Sequence, residues 1–194
     1  MTGLDLSLTS AGIARLTVGD DAPEPLTWTT AVGETGSEGA TLAERWWRLD
    51  AQRSRVLDEV GVPDLVVVEG PAMASSHGQQ HDRSGLWWLI LDDIIGRGLA
   101  VAEVPPLTLK VWATGSGATS GPNKVTKARV IREIRRTYGD RFDIPPEAYG
   151  GSDIADAVAL ATLGAAHLGH ALIDVPSTHR RALGKVRWPD RQEA

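Results

Sequence analysis

The 194-residue sequence predicts an α/β protein with one mixed five-stranded sheet, its first three strands antiparallel, and helices on both faces. Three strand-like segments joined by short turns come first, as in an antiparallel meander. Strand and helix patterns then alternate, which is typical of βαβ units. Residues 65–69 are apolar without alternation, as expected for a strand that helices bury on both faces.

The first strand is predicted at residues 3–9, where leucine alternates with polar side chains. It contains Asp5, and a carboxylate is unusual in mid-strand because it fits poorly on a half-buried pleated surface. Either this face of the strand is solvated, as in a plain amphipathic strand, or its chemistry requires a negative charge. The next two strands are expected at residues 12–18 and 26–32.

Caps and periodicity predict the remaining elements. Thr41 and Glu44 form a capping box that opens a helix, and residues 61–63 end it. Ser152 is expected to cap the last helix, which runs to about His167. Between these two helices we expect, in order, a strand at 65–69, a polar loop at 72–84, an apolar helix at 86–95, a strand at 99–104, a short helical turn at 107–112, a flexible loop at 115–122 and a basic helix at 124–138.

The composition is that of an ordinary globular protein, with 42% hydrophobic and 23% charged residues. We expect one domain at residues 1–176 and a basic, mobile tail at residues 177–194. No charged leader precedes the first strand, and the longest apolar run, residues 86–91, is too short for a membrane helix, so no membrane partner is expected. The absence of cysteine suits a cytoplasmic location and leaves carboxylates and histidines as metal ligands.

The charge of the chain is polarised. Its net charge is −5, but residues 110–136 hold seven lysines and arginines against Glu133 alone, a net +6. Residues 179–194 carry a further +3. Basic blocks of this kind can bind a polyanion such as DNA despite an acidic total, although a solvated basic helix would give the same pattern.

Four acidic residues are candidate metal ligands. Asp5 lies in the first strand, and Glu69 ends the buried strand, where α/β sheets commonly open a functional crevice. Asp153 and Asp156 lie three apart on one face of the last helix, whose other residues are almost all apolar, so a carboxylate there requires a partner. Solvation at a strand end and compensation of the helix dipole are the simpler explanations.

Convergence of these acids would require cations. Two carboxylates about 4 Å apart repel by roughly 4 kcal/mol at an effective dielectric constant of about 20. Oxygen ligands suit Mg²⁺ or Mn²⁺, and two such ions would support hydrolysis of a phosphodiester. Asp92 and Asp93 are a rival acidic pair, but adjacent residues of a helix point in different directions and make a poor joint site.

With these motifs in place, residues 3–167 resemble the RuvC-type Holliday junction resolvases of the RNase H-like superfamily. Asp5 stands mid-strand, and Glu69 follows three valines. Lys110 precedes a Gly-x-Gly in the family's Lys-x4-Gly-x-Gly pattern, and Asp153 opens an Asp-x-x-Asp-Ala that is similar to the family's terminal motif.

The resemblance implies an RNase H-like fold and a homodimer that nicks two strands of a four-way DNA junction symmetrically, with two Mg²⁺ ions per active site or with Mn²⁺. By position, it implies that Asp5, Glu69, Asp153 and Asp156 are the catalytic metal ligands, with Asp5 placed to touch both ions. Lys110 would face the scissile phosphate. The residues expected to bind DNA are Lys110, Lys124, Lys127 and Arg129.

The chain departs from the family pattern at three places. Ala72 stands where the family has an aromatic residue that props open the junction centre. About three extra residues separate Gly117 from Lys124, and Leu6-Ser7 replaces the usual Pro-Gly after the first aspartate. A strict sequence preference for cleavage is therefore not expected, and a broader nuclease for forks, flaps and other branched DNA is the alternative function.

Two other classes of protein are weaker alternatives. Half of an actin-like nucleotide-binding fold would need a second similar domain, and a catalytically silent DNA-binding scaffold would not explain four convergent acids. Helix 86–95 has too little polar surface for a monomer and is the expected dimer surface. Other aromatic and histidine residues are expected to serve in packing, in solvated loops or at a helix end: Trp46, Trp47, Trp87, Trp88, His77, His81, His167 and His170.

Overall fold

The computed structural model describes residues 1–19, 22–71, 79–147 and 150–190. Within these ranges it contains five strands and six α-helices, besides a short 3-10 helix at Leu183–Lys185. In chain order they are β1 Thr2–Asp5, β2 Ala11–Gly19, β3 Ala22–Val32, α1 Leu42–Val60, β4 Val66–Glu69, α2 Gln80–Gly96, β5 Val101–Val104, α3 Pro106–Thr114, α4 Lys127–Tyr138, α5 Gly151–His167 and α6 Ser177–Arg180.

The five strands form one mixed sheet in the order β3-β2-β1-β4-β5, which confirms the predicted fold class. β1, β2 and β3 are antiparallel neighbours, with Asp5 opposite Gly12. β4 pairs in parallel with both β1 and β5, so that Leu4 lies beside Val68. The carboxyl ends of β1 and β4 therefore lie at the same edge of the sheet.

Helices cover both faces of the sheet and enclose two separate cores. On one face, α3, α4 and α5 pack over side chains such as Ala14 and Val67. On the other face, α1 and α2 pack over Leu4 and Val68. Since alternate strand residues point to opposite faces, Gly3 and Asp5 share the α5 face of β1.

Several element boundaries differ from those predicted. β1 ends at Asp5, so this residue closes the strand and does not lie in its middle. α2 begins at Gln80, so residues 80–84 belong to a helix and not to a polar loop. The predicted short turn at 107–112 is a nine-residue helix, α3, with Pro106 in its first turn, where a missing N–H costs nothing. Gly150, in the left-handed conformation, is the N-cap of α5, and Ser152 lies inside the helix and donates to Asp153.

Residues 177–190, which belong to the segment predicted as a mobile tail, pack against α3 and the sheet core. Ala182 is fully buried, and the His179 Nδ1 lies 2.6 Å from the carbonyl oxygen of Trp112. Arg181 donates to the carbonyl of Gly115, and Trp188 stacks on His167 at the end of α5. The apolar residues spaced among the arginines provide this packing, although the segment is basic.

Within the described ranges, none of the helices combines the length and apolar character needed to cross a bilayer.

Candidate active site

A cavity of about 420 Å³ opens at the sheet edge where β1 and β4 end. It is lined by all four predicted acids and by two of the predicted lysines: Asp5, Glu69, Asp153, Asp156, Lys110 and Lys127. The carboxyl ends of parallel strands are a common location for functional sites in α/β sheets. The elements that supply these residues are up to about 150 positions apart in the sequence.

The strand period places Asp5 and Glu69 side by side. Gly3 of β1 pairs with Val67 of β4. Asp5 and Glu69 each lie two positions further along their strands, so their side chains point to the same face of the sheet and lie next to each other. The two carboxyl groups are hydrogen-bonded to each other. The Trp87 indole Nε1 of α2 donates to the carbonyl oxygen of Glu69 at 3.0 Å and fixes the end of β4.

Two glycines of the sheet bring the last helix to these strands. A Cβ at Gly12, directly opposite Asp5, would collide with the carbonyl of Asp153 and lie 2.8 Å from the nitrogen of Ile154. A Cβ at Gly3 would collide with the backbone of α5 at Ala157. The first two turns of α5 can therefore rest directly on β1 and β2, which places Asp153 and Asp156 beside Asp5.

Burial and like charge raise the pKa values of three carboxyl groups. The pKa of Asp5 lies well above its usual range because the side chain is desolvated and because Glu69, Asp156 and Asp153 repel its ionised form. Burial, together with repulsion from Glu69, raises the pKa of Asp156 to about 7. Burial also raises the pKa of Glu69, although its hydrogen bond to Asp5 and the nearby lysines oppose the shift.

The two lysines reach the cavity from different helices. Lys110 lies on α3 and is half-buried. Lys127 is the first residue of α4, which Thr126 caps, and its Nζ lies 3.9 Å from Asp153 Oδ1 and 3.4 Å from Ser152 Oγ. Lys127 lowers the pKa of Asp5, Glu69 and Asp156, so it compensates part of the acidic charge.

The structure separates the other predicted DNA-binding residues from the cavity. Lys124 is exposed on the loop before α4 and does not line it. The Arg129 guanidinium donates to the carbonyl oxygen of Asn123 at 3.2 Å, on the same loop. Of the lysines that follow Gly117, Lys127 is therefore the one in the site.

One wall of the cavity comes from the first two turns of α2, which the sequence did not predict as functional. Its residues are Gln80, Arg83, Ser84 and Trp87. Their spacing of three, four and seven positions from Gln80 is the helical signal that could have identified this wall. The polar character of residues 80–84 instead indicated a loop.

Other candidates lie away from the cavity or outside the described residues. Asp93 forms an ion pair with Arg53, which lowers the pKa of Asp93, and Asp92 is exposed. His81 is exposed on α2, and His170 is exposed beyond α5. Ala72 and His77 lie outside the described residues.

The donor chemistry of the cavity fits hard divalent cations. All four acids offer oxygen ligands, and three of them have pKa values raised by burial and mutual repulsion, which a bound cation would relieve. The carboxylates are not closed into a finished coordination shell: in the described part of the chain, no three His, Asp or Glu side chains are grouped tightly enough to hold one ion. The cavity therefore matches divalent cations in the type and charge of its ligands, and not in a preformed coordination geometry.

Comparison with known proteins identifies solved structures of similar fold. No family model matches the sequence, and no curated protein matches it. Thermus thermophilus RuvC superposes with a TM-score of 0.62 at 20% identity, over 88% of this chain and 98% of that chain. The same protein in complex with a Holliday junction substrate gives a TM-score of 0.57 at 20% identity, over 88% and 96% of the two chains.

A viral protein gives a similar result. The fowlpox virus Holliday junction resolvase superposes with a TM-score of 0.53 at 14% identity, over 87% of this chain and 97% of that chain. At these identities the likeness concerns the backbone architecture. The chain therefore has the RNase H-like fold found in RuvC and in other Holliday junction resolvases.

Proposed function

We propose that this protein is a RuvC-type resolvase, a metal-dependent endonuclease that hydrolyses phosphodiester bonds in four-way DNA junctions by paired symmetric nicks. One observation carries the proposal: four acids from β1, β4 and α5 line a single cavity together with two lysines. The fold agrees, since its solved neighbours are Holliday junction resolvases, one of them in complex with junction DNA.

In this proposal Asp5, Glu69, Asp153 and Asp156 hold two Mg²⁺ ions, with Mn²⁺ as a substitute. Asp5 is the central ligand, because it lies between Glu69 on the neighbouring strand and the start of α5, which rests on Gly12 directly opposite Asp5. Bound in this cavity, divalent cations would supply Lewis acidity and an activated water for phosphodiester hydrolysis. Bound cations would offset the repulsion among these carboxylates.

The lysines act on the DNA phosphates. Lys110 and Lys127 line the cavity from α3 and α4, together with Asp5 and Glu69 at the strand ends. Both can donate to the scissile phosphate and balance the charge that develops on its oxygens. Lys124 and Arg129 lie outside the cavity within the basic segment 110–136, where they would bind the DNA backbone near the cleaved bond.

A second copy of the chain would complete the enzyme. The outer surface of α1 and α2 exposes large apolar side chains, including Trp47 at 64% and Trp88 at 63% of their full surface. Leu42, Trp46, Leu89 and Ile95 extend this apolar surface. An apolar surface of this kind is typical of an interface between proteins, and a dimer would present two cavities to the two strands cut in a junction.

Cleavage of defined DNA structures tests the proposal. A synthetic four-way junction, a fork and a linear duplex of the same sequence are incubated with the protein, with Mg²⁺ and with EDTA. We expect paired nicks at symmetric positions in the junction, in Mg²⁺ only. Comparable cleavage of forks would instead favour the broader nuclease, which Ala72 at the position of the family's aromatic residue would allow.

Asp5→Asn is the decisive variant. We expect it to abolish cleavage while leaving junction binding in EDTA unchanged, because the carboxamide keeps the side-chain volume but is a poor ligand for a hard cation. Asp92→Asn is the matched control, since Asp92 is exposed on α2 and does not line the cavity. A fully active Asp5→Asn enzyme would refute the assignment of the metal site.

A further inference from the structure

α1 carries a row of polar residues that bind backbone and side chains beyond the helix. The row consists of Arg45, Arg48, Gln52 and Arg55, which lie three, four and three positions apart and so share one side of α1. Arg45 forms an ion pair with the buried Asp82 of α2.

Gln52 is buried, with 1% of its surface exposed, and serves two backbone carbonyls. Its Nε2 donates to Val32 O at 2.8 Å and to Ser7 O at 3.3 Å. Its Oε1 is buried and has no partner among the described residues. An apolar residue of this size would avoid the unpaired oxygen, so the two donated hydrogen bonds are the property that distinguishes glutamine here.

Arg48 connects three separate segments. Its Nη2 donates to Leu8 O and to Glu34 O, both at 3.0 Å, and its Nη1 makes a weaker contact of 3.4 Å with Gln79 Oε1. The guanidinium is enclosed so closely that a Cβ at Gly36 would lie 2.8 Å from its Cζ. Gln79 immediately precedes α2, whose first turns form one wall of the cavity.

These contacts replace strand pairing at the point where it ends. The β1–β2 ladder reaches Asp5 and the β1–β4 ladder reaches Leu4, so the carbonyls of Ser7 and Leu8 lie beyond both ladders. They accept instead from Gln52 and Arg48. Leu6 and Ser7 line the cavity directly after Asp5, so the position of this turn determines the backbone that carries the Asp5 carboxylate.

We propose that Arg48 and Gln52 are positioning residues for the metal site. They fix the position of the turn after Asp5 relative to the start of α2. The inference rests on the proposed function and deepens it. Arg48 acts on two walls of the cavity at once, since it bonds to Leu8 of the turn and contacts Gln79 before α2. Gln52 joins the same turn to the end of β3 at Val32.

The test compares Arg48→Lys and Gln52→Leu with Arg53→Lys. Lysine keeps the charge at position 48 but lacks the planar fork whose separate nitrogens contact the three acceptors of Arg48. Leucine at position 52 keeps the approximate volume without donating. Arg53 is the matched control, because it lies on the same helix and pairs with Asp50 and Asp93, away from the turn. The measurements are Mn²⁺ affinity by calorimetry, the Mg²⁺ concentration for half-maximal junction cleavage, junction affinity in EDTA and the unfolding midpoint.

We expect Arg48→Lys and Gln52→Leu to weaken Mn²⁺ binding and raise the Mg²⁺ requirement by about 10-fold, as loss of a positioning contact typically does. Junction affinity in EDTA should stay at the wild-type value. Arg53→Lys should lower the unfolding midpoint alone. If Gln52→Leu does not fold, Arg48→Lys decides the outcome.

Two results would overturn the inference, and they differ in meaning. Folded variants with wild-type Mn²⁺ affinity and Mg²⁺ requirement would refute the positioning role while leaving the proposed function intact. A wild-type protein that neither binds Mn²⁺ nor cleaves DNA would refute the proposed function, and the positioning role with it.

Discussion

Neutralising an acid of the cavity should make the metal-free protein more stable. The pKa of Asp156 rises from 3.8 to about 7 on folding, through burial and repulsion from Glu69. Between these two values the folded state binds more protons than the unfolded state, so this carboxyl group lowers the free energy of unfolding as the pH rises. Asp156→Asn removes that cost. At pH 8 we expect it to raise the free energy of unfolding by about 2–4 kcal/mol, at about 1.4 kcal/mol per pKa unit.

The pH dependence of this effect distinguishes it from improved packing. At pH 4.5 the folded carboxyl group is protonated and only the unfolded chain is ionised, so the gain from Asp156→Asn should fall to about 1 kcal/mol. The assay is urea unfolding of the wild type and the variant in EDTA at pH 8 and pH 4.5. Asp92→Asn, an exposed acid of α2, should change neither value.

Metal should narrow the difference in stability between the variant and the wild type. At pH 8, Mg²⁺ at 100 times its dissociation constant would stabilise the wild type by about 2.7 kcal/mol, whereas a variant lacking one ligand should gain much less. An Asp156→Asn protein that is less stable than the wild type at pH 8 in EDTA would refute the electrostatic argument. A gain of equal size at both pH values would refute it as well.

Two further predictions concern packing and assembly. Gly12→Ala should lower the free energy of unfolding by about 1–3 kcal/mol and reduce cleavage, because the added methyl group collides with the backbone of Asp153. Gly96→Ala is the control, since its methyl group would have no neighbour within 4 Å. Urea unfolding and junction cleavage are the measurements. Trp88→Lys should convert a dimer to a monomer in sedimentation equilibrium because it places a charge in the apolar surface, whereas Leu26→Lys, at an equally exposed position on β3, should not. A wild-type monomer across micromolar concentrations would contradict paired nicking.

The sheet was predictable because its signals are local. The unbroken valines of β4 and the Thr41–Glu44 capping box of α1 each depend on residues close in sequence, and the structure contains both elements. The alternation over residues 3–9 located β1 but not its end, because the strand stops at Asp5. The start of α2 was missed because no capping side chain marks it. Gln79 takes a left-handed φ of 51° there, and Asp82 in the first turn is stabilised by Arg45 of α1, a contact between distant segments.

The location of the candidate site was predictable only in part, because some of its contacts join segments that are distant in the sequence. The strand period alone places Asp5 and Glu69 on one face at one edge, so their proximity follows from the sequence once β1 and β4 are neighbours. The approach of Asp153 has a different cause, since α5 can rest on β2 only where Gly12 lacks a side chain. A larger residue opposite Asp5 would push the helix outward and separate the acids. The charge pattern of the chain therefore identifies the candidate ligands, while the smallest residues of the sheet determine the distance between them.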